Sequence, residues 1–128
     1  MKILYSIVLS PFHPDFSVVY SNLGCETYTF RSERKAIQGL KTHVPDIVVA
    51  DFIYGYGNNY AGVNVSNLDV FFYSLQQYKD DSKKIILVEK SEREYVEKLH
   101  NIIPIDHVLV YPVTEQDITR VFETFGSP

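Results

Sequence analysis

Asp51 closes the apolar run "VPDIVVAD" and is followed by "FIYGYGNNYAG". A carboxylate delivered this way can hold a metal ion, work as a chemical group, or simply accept hydrogen bonds from loop N–H groups. The other candidates are Ser10, His13 and Asp15 in "SPFHPDF", Glu89 at the end of "KIILVE", and Tyr111 with Pro112 in "HVLVYPV". His13, Asp15, Asp51 and Glu89 could together form an oxygen-rich metal site. The plainer expectation is that His13 is a surface loop histidine and Asp15 a helix N-cap. Asp46, after Pro45, reads as a strand-entry turn residue. A flavin or nucleotide site is disfavoured, because "SPFHPDF" has no Gly-rich turn and its two prolines remove backbone donors. A hydrolase is disfavoured too, since no nucleophile elbow occurs. The single Cys25 excludes an internal disulfide and reads as a buried, inert thiol.

The segment from Phe52 to Asn67 is a long loop, and such loops are often functional. Its glycines and asparagines tolerate positive φ, and Tyr54, Tyr56 and Tyr60 offer the large amphipathic surface enriched at interfaces. Two expectations stand for it. It is a recognition loop over the Asp51 crevice, or its tyrosines pack over the sheet end.

Positioning these groups requires regular elements, and the pattern supplies them. Five segments are rich in β-branched and aliphatic residues: "KILYSIVL" (2–9), "ETYTF" (26–30), "DIVVAD" (46–51), "KIILVE" (84–89) and "HVLVY" (107–111). The first, third, fourth and fifth are nearly continuous apolar runs, as strands covered on both faces should be. The second alternates, which predicts a sheet edge. Between them lie amphipathic helical patterns with start signals at Asp15, Ser32, Ser66–Asp69, Ser91–Glu94 and Thr114–Asp117, and Gly24 is a natural stop. Strict alternation predicts an α/β fold: three layers, a flavodoxin-like (βα)5 parallel sheet in the order 2-1-3-4-5, one domain over residues 1–128. In such sheets ligands bind beyond the carboxyl ends of the strands, where the strand order reverses. Ser10, His13, Asp51, Glu89 and Tyr111 are all delivered to that end.

Composition is that of an ordinary water-soluble protein: 45% hydrophobic, 22% charged, net charge −4. That balance argues against a nucleic-acid surface as the main business. The apolar run at the N-terminus is too short to span a membrane, and a first strand explains it better than a leader peptide. The expected location is cytoplasmic, with no membrane partner.

The chain resembles the receiver domain of two-component response regulators, the CheY-like superfamily. "LGCETYTFRSERKAIQGLKTHVPDIVVADF" is similar to the family's second strand, second helix and third strand, "KIILVEKSE" to its fourth strand, and "HVLVYPV" to its fifth strand with the lysine–proline pair. The resemblance implies that Asp51 stands at the phosphoacceptor position. It also implies what is missing. The family's acidic pair, which helps hold Mg²⁺, falls on Ile7 and Val8, or on Leu9 and Ser10 if the strand slips. Glu89 replaces a Thr or Ser, and Tyr111 replaces the lysine, with Pro112 retained.

Phosphoryl transfer depends on positioning and on neutralising charge, and Mg²⁺ needs hard oxygen ligands that these apolar residues lack. Asp51 and Glu89 placed about 5 Å apart would repel by roughly 3 kcal/mol at an effective dielectric near 20. The crevice is therefore expected to be negative, with nothing positive to offset an incoming anion. The expected function is a degenerate receiver, or pseudo-receiver. It would be a non-enzymatic signalling or protein-interaction module without cofactor or metal, acting through protein partners, with a homodimer left open. A working phosphorelay receiver phosphorylated on Asp51, and a small-molecule or metal-binding flavodoxin-like protein, are the alternatives.

Overall fold

The computed structural model describes residues 2–53 and 68–125. Strands β1 (Lys2–Ile7), β2 (Cys25–Phe30), β3 (Ile47–Asp51), β4 (Lys83–Val88) and β5 (His107–Val110) form one parallel sheet in the order β2-β1-β3-β4-β5. Helices α1 (Ser17–Asn22), α2 (Glu33–Gly39), α3 (Leu68–Gln76), α4 (Val96–Ile102) and α5 (Glu115–Glu123) alternate with the strands. Both the alternation and the strand order are those predicted from the sequence pattern.

Side chains along a strand point alternately to opposite faces, and this divides the interior into two cores. Val48, Ala50, Ile86 and Val88 pack with α2, α3 and α4. Ile47, Val49, Ile85 and Leu87 pack with α1 and α5. Continuing that alternation puts Asp51 on the α1/α5 face. Ser6 of β1 and Thr27 and Thr29 of β2 fall on the same face, in register with one another and with β3 (Ser6 opposite Thr29 and Val49).

The helix starts are realised unevenly. Ser32 Oγ accepts from Lys35 N at 3.1 Å, and Thr114 with Asp117 forms a complete capping box. Asp15 is not the N-cap of α1. Its Oδ1 accepts from Ser17 N at 2.9 Å, an Asx turn one step ahead of the cap, and Phe16 takes the cap position. Nor is Ser91–Glu94 a capping box. Glu89 is extended and a 3₁₀ turn (Lys90–Tyr95) begins at once, so Ser91 lies inside the turn instead of ahead of a helix. Ser66 lies outside the described residues. Gly24 (φ +81°) ends α1 in the left-handed region.

β5 is the other correction. It is half-buried, with Val110 exposed, rather than covered on both faces, because it pairs with β4 alone at the sheet's second edge. Phe52, counted as loop from the sequence, is buried, and its N–H bonds Leu87 O at 2.8 Å.

Candidate functional site

Parallel pairing brings the ends of β1, β3 and β5 together around Asp51. Its carboxylate is enclosed, 1% exposed. Oδ2 accepts from the N–H groups of Leu9 (2.8 Å) and Ser10 (2.9 Å), where the chain leaves β1. It also meets His13 Nδ1 at 3.0 Å. A carboxylate can only accept there, so the imidazole donates from Nδ1. Oδ1 accepts from the Tyr111 hydroxyl. Three donors therefore converge on Oδ2 and one on Oδ1, so both oxygens are held.

Each donor has a local reason to be there. Beyond β1 the chain turns tightly, with His13 N donating to Ser10 O (3.3 Å) and Phe12 N to Ser10 Oγ (3.1 Å). The turn aims two consecutive amides inward and folds the His13 ring over Asp51. Phe16 packs beside that ring at 5.8 Å between centroids. Tyr111 N–H donates to Val88 O at 2.9 Å, extending the β4–β5 ladder by one residue, and the Tyr111–Pro112 peptide is cis. Burial holds the Tyr111 phenol protonated well above the ordinary tyrosine range. The bond to Asp51 and its charge add to this, and a bond with Ser10 opposes it.

The candidate residues divide accordingly. Asp51, Ser10, His13 and Tyr111 come together. His13 is not a surface histidine, since only 2% of its side chain is exposed, and it is an ionisable partner for Asp51 that the sequence reading of an unopposed negative crevice lacked. Glu89 is not among the groups bonded to Asp51. It lies with Phe12, Pro14, Tyr111, Pro112 and Val113 along an adjacent groove of about 330 Å³. Tyr54, Tyr56 and Tyr60 lie outside the described residues.

Ile7 is buried in the α2/α3/α4 core, and it is the Leu9 and Ser10 peptides that reach Asp51. These residues do not fit a magnesium site. They present N–H groups where a cation needs oxygens, and the Asp51 oxygens are already engaged. Among the described residues no group of three or more His, Cys, Asp or Glu side chains could hold a metal ion.

Sequence reasoning passed over Tyr20 as part of the site. It falls within the amphipathic pattern that follows Asp15, and its buried hydroxyl lies close enough to Asp51 to feel that charge. Its type at a core position was the available signal, because a buried phenol needs a partner.

No family model matches the chain, and no curated protein matches it. Solved structures do. A signal receiver domain of a modulated diguanylate cyclase from Desulfovibrio desulfuricans G20 is 15% identical, with a TM-score of 0.69 over 97% of this chain and 92% of that one. A response regulator receiver domain protein from Clostridium thermocellum is 16% identical (TM-score 0.68, 96% and 91%). The receiver domain of a sensor histidine kinase from Pseudomonas aeruginosa PAO1, solved with magnesium in its active site cleft, is 10% identical (TM-score 0.61, 96% and 95%). The chain therefore has the fold of response-regulator receiver domains. Among the described residues no helix is long and apolar enough to cross a membrane.

Proposed function

We propose that this protein is a pseudo-receiver, a non-enzymatic signalling module that works by binding proteins and is not phosphorylated on Asp51 by the Mg²⁺-dependent route. One observation carries this reading: the carboxylate at the acceptor position is enclosed and both its oxygens are already held by protein donors. To attack phosphorus, Asp51 would have to break bonds to Leu9, Ser10, His13 or Tyr111 while still buried. Stripping a buried charge of its partners costs several kcal/mol. Phosphoryl transfer is accelerated by positioned cations, and the donor set here offers a phenol and an imidazole instead of lysine and oxygen-bound metal.

A sealed carboxylate can still serve signalling. It ties the ends of β1, β3 and β5 into one arrangement and holds beside it a surface with the exposed Phe12 and the groove along Pro112 and Val113. Aromatic anchors of this kind are enriched in protein–protein contacts. The expected partner is a protein that docks on this end of the sheet.

Incubation with acetyl phosphate and Mg²⁺, followed by intact-mass measurement, tests the reading. No adduct is expected. A stoichiometric phosphoryl adduct that disappears in Asp51→Asn would overturn it.

A further inference from the structure

Among the described residues, the Tyr20 hydroxyl is the one buried side-chain polar group without a hydrogen-bond partner. Taking a donor out of water without giving it an acceptor is costly, so an unmatched phenol in a core calls for a reason. The Tyr20 ring is 1% exposed and lies between Phe16 (6.1 Å between centroids) and Phe122 (6.2 Å). It belongs to the α1/α5 core, the face to which β3 turns Asp51, and Tyr111 packs against the same cluster. Burial, then the Asp51 charge, hold the Tyr20 phenol protonated. Tyr111, raised first by burial and then by Asp51, feels Tyr20 as well.

Two phenols therefore flank one carboxylate, and only one is bonded to it. Oδ2 already takes three donors, whereas Oδ1 takes the Tyr111 hydroxyl alone. The phenols also differ in what surrounds them. Tyr20 is packed in the core. Tyr111 is half-buried and borders the open groove with Phe12, Pro14, Glu89, Pro112 and Val113, so its ring has somewhere to go. α1 has only six residues, and its cap residue Phe16 makes no side-chain cap bond. A helix so short is held by packing more than by its own hydrogen bonds, and a small shift breaks no cap.

We propose that Tyr20 is a reserve donor for Asp51: when Tyr111 turns out into the groove, α1 settles inward and the Tyr20 hydroxyl takes its place on Oδ1. One charge-assisted bond replaces another, so the carboxylate stays sealed in both arrangements. In the second arrangement the Tyr111 hydroxyl reaches water and no phenol is left unmatched, which offsets the exposure of its ring. A protein docked in the groove against an outturned Tyr111 would select that arrangement and draw α1 inward. This consequence rests on the reading of the groove as a docking surface. The exchange itself does not, and its test involves neither a partner nor phosphorylation.

Urea denaturation and tyrosine ¹³Cζ NMR test it in the whole protein, unchanged and as Tyr20→Phe, Tyr111→Phe and the double variant. Each change removes one oxygen and keeps the ring, so the fold is retained. Tyr20→Phe alone is expected to leave the urea midpoint unchanged or raised, since it removes an unmatched donor. Tyr111→Phe is expected to raise the unfolding constant by a factor roughly threefold larger, or more, in the Tyr20→Phe background than in the unchanged protein, because the reserve donor is gone. In Tyr111→Phe the Cζ signal of Tyr20 should move, while that of Tyr5, in the opposite core, stays in place. Additive losses in the double variant, or a Tyr20 signal that does not move, would overturn the proposal. So would a midpoint lowered by Tyr20→Phe as far as by Tyr111→Phe, the mark of a hydroxyl already bonded, for instance to a buried water.

Discussion

β3 begins and ends on aspartates that do the same backbone job in different surroundings. Asp46, before the strand, accepts from Ile3 N at 2.9 Å, and Asp51 accepts from Leu9 and Ser10 N. Each thus pins β1 against β3. Asp46 is a third exposed and sits 3.7 Å from Lys79, which is itself shared with Asp81 at 3.2 Å. Water screens that pair, so it contributes little. Asp51 is enclosed, and its remaining partners are His13 and Tyr111, each brought from a different strand end. The difference shows that a carboxylate becomes a structural keystone through the groups that exclude water from it, not through its position on a strand.

The largest test of that contrast is truncation. Asp51→Ala leaves four buried donors without an acceptor and should destabilise the fold by about 3–5 kcal/mol in urea denaturation, against about 1 kcal/mol for Asp46→Ala. Equal losses would erase the distinction. Next comes Tyr111→Phe, which removes one hydrogen bond to a charged group and should cost about 1.5–3 kcal/mol by the same measurement. A neutral result would mean that the phenol is not needed to seal Asp51.

An exposed cap calibrates the solvated end. Thr114→Ala, which breaks the capping box of α5, should cost about 1 kcal/mol, close to Asp46→Ala, while Ser91→Ala should stay within about 0.5 kcal/mol because Ser91 caps nothing. A large loss in Ser91→Ala would show that the helical start predicted there does form.

The smallest effect is alkaline. Burial, with the neighbouring Tyr28 phenol, raises Tyr5 to about 12, and Tyr111 is raised as well. A folded-state pKa above the unfolded one means that the contribution is complete below pH 10 and is lost as pH rises through about 12. The urea midpoint should therefore fall modestly between pH 10 and 12, and less so in Tyr111→Phe. An unchanged slope in that variant would detach Tyr111 from the effect.

The sheet was legible because its signals are local. "IVVAD" and "KKIILV" are apolar on both faces, and such runs fit only strands covered on two sides. Leu68, Phe71, Phe72 and Leu75, spaced for one helical face, are all fully buried. β5 misled because "HVLV" has the composition of a central strand, while its exposure depends on having no neighbour beyond it. Asp15 and Ser91 misled because a side chain able to cap a helix can also make an Asx turn or sit within a 3₁₀ turn, and a single residue's register decides which.

The site was half legible. That Asp51, Tyr111 and the β1 end would converge follows from parallel order and from the resemblance to receivers. That His13 would be enclosed does not, because nothing in "SPFHPDF" says which way the turn folds. The same holds for Tyr20, whose spacing marks it as core but not as a donor left unmatched near Asp51.

The amino-acid sequence alone determined the elements, their alternation and the strand order they imply, because apolar periodicity and crossover handedness act over short stretches of chain. The resemblance to receivers added the expectation that the lysine and acidic-pair positions hold other residues. Only the tertiary structure decided that Asp51 is sealed, by which four donors, and that the Tyr20 hydroxyl is left unmatched near it. Those facts depend on groups tens of residues apart meeting within 3 Å, where desolvation governs what a carboxylate or a phenol can do.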